Sequence, residues 1–168
     1  MATPLPRDPI ADARRNWEDS GWSTEAGPMA AITAIMRTQQ ILLARVEGIL
    51  KPLGLTFARY ELLALLSFTR NGKLPMNKAS ALLQVHPTSV TNAVDRLEKA
   101  GLVVRAPHPT DGRTTLIELT AEGRTVAKNA TAALNSEVFS QSGFSSEDVD
   151  HMIRILADFR RHAGDFSG

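Results

Sequence analysis

Between Met76 and Thr120 the chain reads MNKASALLQVHPTSVTNAVDRLEKAGLVVRAPHPTDGRTTLIELT. Pro87 suits a first helical position, where its missing N–H would have had no intrahelical partner. From there Val90, Ala93, Val94, Leu97 and Ala100 recur on one helical face, and Thr88, Asn92, Asp95, Arg96 and Lys99 take the other, with Ser89 and Thr91 at its edges. Gly101 stops the helix, because glycine enters the left-handed conformation without steric cost. A shorter helix, Asn77 to Leu83, precedes it, with Asn77 as its expected cap. The two are joined by Gln84–His86, where Gln84 stands at a left-handed position that costs a side-chain-bearing residue about 1–2 kcal/mol. After Gly101 the pattern changes: Leu102–Arg105 and Thr115–Leu119 read as two strands, joined through His108–Arg113. Two helices, a tight turn and a β-hairpin predict a mainly α fold with a small β-wing, a winged helix-turn-helix with flanking helices.

That arrangement points to double-stranded DNA. Thr88, Ser89, Thr91 and Asn92 are small hydrogen-bonding residues at the N-terminal end of the second helix, where free N–H groups and the helix dipole favour a phosphate or a base edge. Asn92 suits an adenine edge, and Arg96 a guanine edge or a phosphate. Ser and Thr favour helix starts in any protein, but four such residues on one exposed face favour DNA contact. Arg113 at the hairpin tip suits a narrow minor groove. Asp111 would repel phosphate, so its expected role is to hold Arg113 through a charge-assisted hydrogen bond. Lys73, Lys78 and Arg105 are further candidates for backbone phosphates.

Val90-Thr91-Asn92-Ala93-Val94-Asp95-Arg96-Leu97-Glu98-Lys99-Ala100-Gly101-Leu102-Val103 resembles the recognition helix of the MarR family of bacterial transcriptional regulators. Asp111-Gly112-Arg113 followed by Leu119-Thr120 resembles that family's wing signature. The likeness in element order runs from about Pro28 to His162 and leaves out the first 27 residues. It implies a transcriptional regulator, most often a repressor, released by a small-molecule effector bound between the dimerisation helices and the DNA-binding lobe. By position Trp22, Met36, Arg37, Gln40, Phe57 and Tyr60 are candidates for that pocket, and each would serve equally well in the core or at a dimer contact.

The ends of the chain say what the middle is attached to. Residues 1–27 begin Pro-rich and polar and read as a loosely ordered arm, yet both tryptophans lie there. A short helix that packs on a partner subunit or lids a pocket is expected. A helix is predicted from Pro28 to about Lys51, apolar on most of its circumference, and a core helix capped by Thr56 from Phe57 to about Phe68. Lys73–Met76 can pair as a short strand beside the wing. A helix opened by Thr120 continues to about Ser140 on the face Val126, Ala130, Ala133, Leu134, Val138 and Phe139. The last helix starts at a Ser145/Asp148 capping box and runs to about His162. Residues 28–168 are thus expected to hold a winged helix at about 56–120 and dimerisation helices at about 28–51 and 121–163. A domain this small has no use for so much extra apolar helix, so a homodimer reading a pseudo-palindromic operator is expected.

Composition bounds the rest. The 168 residues are 43% hydrophobic and 22% charged, as in a globular protein, with no membrane-length apolar run, and the cytoplasm is the expected compartment. There is no cysteine, which excludes disulfides and thiol redox sensing. The net charge is only +1, but residues 28–70 carry five basic side chains against two acidic and residues 71–120 six against four, whereas both ends are acidic. The four histidines have no metal-ligand spacing, and no phosphate loop, nucleophile elbow or zinc-protease motif is present, so neither a cofactor nor catalysis is expected. Two other readings stay open at this point, a ligand-independent architectural DNA binder and a winged-helix protein–protein adaptor.

Overall fold

The computed structural model describes residues 4–111 and 113–167. Helix α1, Pro9–Asp19, lies in the stretch whose composition reads as an arm. The Asp8 carboxylate accepts from the Ile10 N–H at 3.0 Å, Pro9 needs no partner there, and Arg14 pairs with Glu18 at 3.0 Å. No residue of α1 is buried; it packs against α2, with the Trp17 and Trp22 rings edge-on at 5.3 Å.

Helix α2 spans Ser23–Leu50, so it begins five residues before the expected start and holds Pro28 inside. The Trp22 carbonyl accepts from the N–H groups of Glu25 and Ala26, and the fully buried Ala26 anchors that turn. Pro28 then removes a single early hydrogen bond from a helix that has already formed. A 3-10 turn, Lys51–Leu53, and Gly54 at φ 70° end α2. Helix α3, Phe57–Phe68, is capped by Thr56 as expected and buries Tyr60, Leu62, Leu63, Ala64 and Leu66.

Strand β1, Lys73–Pro75, leads directly into α4, Met76–Leu83. Pro75 takes the position before α4, and Asn77 lies inside it rather than capping it, its carboxamide accepting from the Lys78 N–H at 2.8 Å. The turn keeps Gln84 at φ 54°, and the Ser80 hydroxyl donates across it to the Val85 carbonyl at 2.7 Å. Helix α5, Pro87–Lys99, buries Val90, Val94 and Leu97, and Ala100 is exposed. Gly101 at φ 72° and Leu102 return their N–H groups to Glu98 and Leu97, so Leu102 closes the helix instead of opening a strand. Strand β2 is therefore Val103–Pro107, paired antiparallel with β3, Thr115–Leu119, in the sheet order β1-β3-β2. Pro107 is tolerated because β2 is an edge strand.

Helix α6, Ala121–Leu134, starts at the Thr120 cap and passes into a π-helical turn, Asn135–Phe139. Its inward face is Ala127, Ala130, Leu134 and Val138, with the expected Val126 half-buried against the same core, and Phe139 is exposed. Helix α7, Ser146–His162, carries the expected Ser145/Asp148 capping box and buries no residue at all. One core, centred on Leu50, Leu62, Leu63, Leu66, Val94, Leu97, Val103, Ile117 and Leu134, therefore fixes α5 and the wing to α3 and α6.

Candidate nucleic-acid interface

The core-facing residues of α5 leave Thr88, Ser89, Thr91, Asn92, Arg96 and Lys99 all exposed on the opposite side. His86 caps this helix through Nδ1, which accepts from the Thr88 N–H at 3.2 Å. The Thr91 hydroxyl donates back to the Pro87 carbonyl at 3.1 Å, leaving its lone pairs outward. Asn92 and Arg96, one turn apart, line an open cleft of about 420 Å³ together with Thr56, Ala58 and Arg59. Arg59 is a cation that the sequence reading missed. Its guanidinium is held by the Gly54 carbonyl and the Thr56 hydroxyl, both at 3.1 Å, a placement that only the turn at Gly54 brings about.

Asp95 and Glu98 also lie on α5, where a carboxylate would repel phosphate. Arg105 on β2 forms ion pairs with both, and its backbone N–H donates to Glu98 Oε1 at 3.0 Å. Arg105 is thus engaged in covering acids of the recognition helix instead of projecting to a phosphate. Lys73 is likewise paired across strands with Glu118 at 2.8 Å. Among the described residues, Lys78, Arg96, Lys99 and Arg113 form no ion pair.

At the wing, Asp111 accepts from the Arg113 backbone N–H at 3.0 Å and from the Thr114 hydroxyl at 2.7 Å. The expected bond to the Arg113 guanidinium is replaced by one to its main chain, so the loop is fixed and the exposed side chain is left to reach outward. The Thr114 hydroxyl, then the Arg113 amide, hold the Asp111 carboxyl below its ordinary value of 3.8. Gly112, read as part of this turn, lies outside the described residues.

The six pocket candidates do not converge. Trp22, the residue just before α2, and Met36 within it are both exposed, fourteen residues apart. That is about 21 Å at the helical rise, too far to line one small cavity within a protomer. Arg37 Nη1 donates to Gln40 Oε1 at 3.2 Å on the surface of α2. Phe57 and Tyr60 stack at 6.3 Å, and the Tyr60 hydroxyl meets Thr131 Oγ1 at 3.1 Å, tying α3 to α6 inside the core. Among the described residues no group of three or more His, Asp or Glu is placed to hold a metal, and no helix is long and apolar enough to cross a membrane.

A capped helix presenting small polar residues, its acids neutralised from behind, beside a hairpin that offers an arginine, defines a winged helix-turn-helix DNA-binding regulator. Residues 53–114 match the MarR family. Sco5413, a MarR family transcriptional regulator from Streptomyces coelicolor, is 48% identical, with 84% of this chain and 99% of that one covered at a TM-score of 0.76. An HTH-type transcriptional repressor of Mycobacterium bovis is 31% identical over 102 residues, 61% of this chain and 72% of its own. CouR from Rhodococcus jostii RHA1, solved bound to p-coumaroyl-CoA, is 27% identical over 75% of this chain and 88% of its own, at a TM-score of 0.64. The chain belongs to the MarR family of DNA-binding transcriptional regulators.

Proposed function

We propose that the protein is a homodimeric repressor that grips a pseudo-palindromic operator and lets go when a small molecule binds. The observation that carries the reading is the apolar surface left on the two helices outside the winged lobe. Ile32, Ile35, Met36 and Ile41 on α2 and Ile153, Ile155, Leu156 and Phe159 on α7 are each at least 42% exposed. Covering one such half-exposed side chain stabilises by about 0.7–2 kcal/mol, so two copies of this surface supply a strong drive to associate. A two-fold axis then sets two α5 helices about one DNA turn apart, each with its N-terminal end in a major groove and Arg113 in the flanking minor groove. In this reading Thr88, Ser89, Thr91, Asn92 and Arg96 meet the DNA, and Asp111 holds the wing in shape.

The repressor sense is supported by the Mycobacterium bovis relative, and the effector by the ligand seen in CouR. Of the pocket candidates, Trp22 and Met36 can share a site only if two protomers build it; Arg37, Gln40, Phe57 and Tyr60 supply the rest from α2 and α3. The working compartment is the cytoplasm, where a bacterial operator lies. An architectural binder would share the DNA face and show no thermal stabilisation by any member of a metabolite panel.

The test is fluorescence anisotropy of labelled duplex from the intergenic region beside the gene, across several salt concentrations, with wild type and Arg113→Ala side by side. With Lys78, Arg96, Lys99 and Arg113 from two subunits on phosphates, log K against log salt approaches a slope of about −7, against about −4 for one subunit. Arg113→Ala is expected to weaken binding about tenfold and to flatten the slope by about one to two. If the protein prefers no duplex from a genomic library over random DNA, the operator reading falls and the adaptor reading replaces it.

A further inference from the structure

The chain does not fray after α7. Gly164 at φ 75° and Asp165 return their N–H groups to the Arg161 and Arg160 carbonyls, a glycine-terminated cap that folds the tail back over the last turn. Asp165 Oδ2 thereby receives the Arg160 guanidinium at 2.6 Å, and the Phe166 ring lies under Arg160 and Arg161 with centroid distances of 5.2 and 5.5 Å. This knob is hydrogen-bonded to the helix-turn-helix through Gln84. The Gln84 carboxamide donates to the Asp165 carbonyl at 3.1 Å and to Asp165 Oδ1 at 3.0 Å, and its oxygen accepts from Arg160 Nη2 at 3.0 Å. Every polar atom of the Gln84 side chain is therefore engaged by residues 76 and 81 positions away.

Gln84 is also the one non-glycine with positive φ among the described residues. A glycine there would remove that strain, and the side chain that bears the strain is the one that reaches the tail. Gln84 stands three residues before Pro87, so its backbone sets the angle at which α5 leaves α4. Helix α7, in contrast, buries no residue within its own chain, and its apolar face is open to a partner. One end of α7 thus grips the turn that aims the recognition helix, while its length is offered to the other subunit.

We infer that Gln84, Arg160 and Asp165 form a clamp through which α7 holds the recognition helix at a set angle, and so fixes the half-site spacing that the dimer accepts. This rests on the homodimer reading above. The three are positioning residues: none needs to touch DNA, and their effect is on where the two α5 helices point. Any movement of the dimerisation helices, including one driven by an effector, would reach α5 by the same connection.

The test uses the full-length protein and a duplex that the wild type has selected from a random pool, rebuilt with its half-sites moved one or two base pairs closer or farther apart. Gln84→Gly keeps the turn and removes the clamp, so its melting temperature should equal or exceed that of wild type. Sedimentation should show an unchanged dimer. Its preference for the selected spacing over the shifted ones should fall about three- to tenfold. Arg160→Ala should do the same, and the double variant should lose no more than either single one. Wild-type spacing preference in both variants would overturn the clamp. A loss equal at every spacing would overturn it too, since that is the mark of a lost phosphate contact or a weakened fold. A wild type that sediments as a monomer would instead overturn the homodimer reading, and that result involves no variant.

Discussion

Gly123→Ala should destabilise this protein, although a helical Gly→Ala change ordinarily stabilises by about 1 kcal/mol. Gly123 is the third residue of α6, and its N–H is held by the Thr120 hydroxyl at 2.9 Å. Thr120 in turn donates its N–H to the Leu102 carbonyl at 3.1 Å and its hydroxyl to the Gly101 and Leu102 carbonyls at 2.8 and 3.0 Å. The first turn of α6 is thus pressed onto the peptide that leaves the recognition helix. A Cβ on Gly123 would stand 1.9 Å from the Leu102 oxygen, 2.9 Å from its carbonyl carbon and 2.9 Å from Leu119 Cδ1. Carbon–oxygen contacts relax at about 3.3 Å, so α6 must retreat by about 1.4 Å, and the obstacle is backbone that cannot rotate aside.

Overpacking of this kind costs about 1–3 kcal/mol, with rigid neighbours at the upper end. The retreat also stretches the Thr120 hydrogen bonds, at about 1 kcal/mol for each one lost. Set against the gain in helix propensity, the net is about 3 kcal/mol destabilising, which in a chain of this size lowers the melting temperature by about 6–12 °C. The assay is thermal melting by circular dichroism at one fixed protein concentration, because the proposed dimer would make the midpoint concentration-dependent. Gly48→Ala in α2 serves as the control, since nothing lies within 4 Å of a Cβ built there, and it should melt at or above wild type. If Gly123→Ala melts as high as Gly48→Ala, the close seating of α6 on Leu102 is refuted.

Arg105→Ala should cost little stability, since exposed ion pairs contribute about 0–1 kcal/mol, but it should weaken DNA binding about three- to tenfold by uncovering Asp95 and Glu98. Adding Asp95→Asn and Glu98→Gln to that variant should restore binding; no restoration would mean that Arg105 contacts DNA itself. Glu61, half-buried beside Ala58, Leu62, Leu83 and Val85, has its carboxyl pushed above the ordinary 4.5 by desolvation. A carboxyl raised on folding favours the folded state below its unfolded value and loses that contribution as pH rises through the folded one. Glu61→Gln should therefore melt above wild type at pH 7, with the gap closing below about pH 4; equal midpoints at pH 7 would remove burial as the cause.

What could be read from the residues alone was whatever depends on neighbours within a turn or two. The spacing of Val90, Val94 and Leu97 identified the buried face of α5, the glycine at 101 identified its end, and the Ser145/Asp148 pair identified the start of α7. The start of α2 was misplaced because proline at a first position is a permissive signal only. It reports that no donor is needed at residue 28, and says nothing of the Trp22 carbonyl that begins the helix earlier. Arg105 and Lys73 looked like free cations because their partners lie on other elements, which side-chain type and local spacing do not reveal. The pocket candidates failed to converge for a related reason. The sequence places Trp22 in the N-terminal arm and Met36 in the helix from Pro28, and their separation along one axis emerges only because α2 starts at Ser23, directly after Trp22.

The corrected charge map strengthens the case for two subunits. With Arg105 and Lys73 engaged by acids, the cations between β1 and the wing, residues 73–113, that form no ion pair among the described residues reduce to Lys78, Arg96, Lys99 and Arg113, in a chain whose net charge is only +1. Nonspecific hold on DNA scales with the number of phosphates neutralised, so one such lobe would be displaced readily at physiological salt. Doubling the set on a two-fold axis doubles the exponent, not merely the number of contacts, and the apolar faces of α2 and α7 are what make that doubling favourable. In the proposed homodimer, dimerisation and DNA binding form one thermodynamic unit. A ligand that changes how α7 sits against its partner acts on the full exponent at once, and needs no contact with α5 to do so.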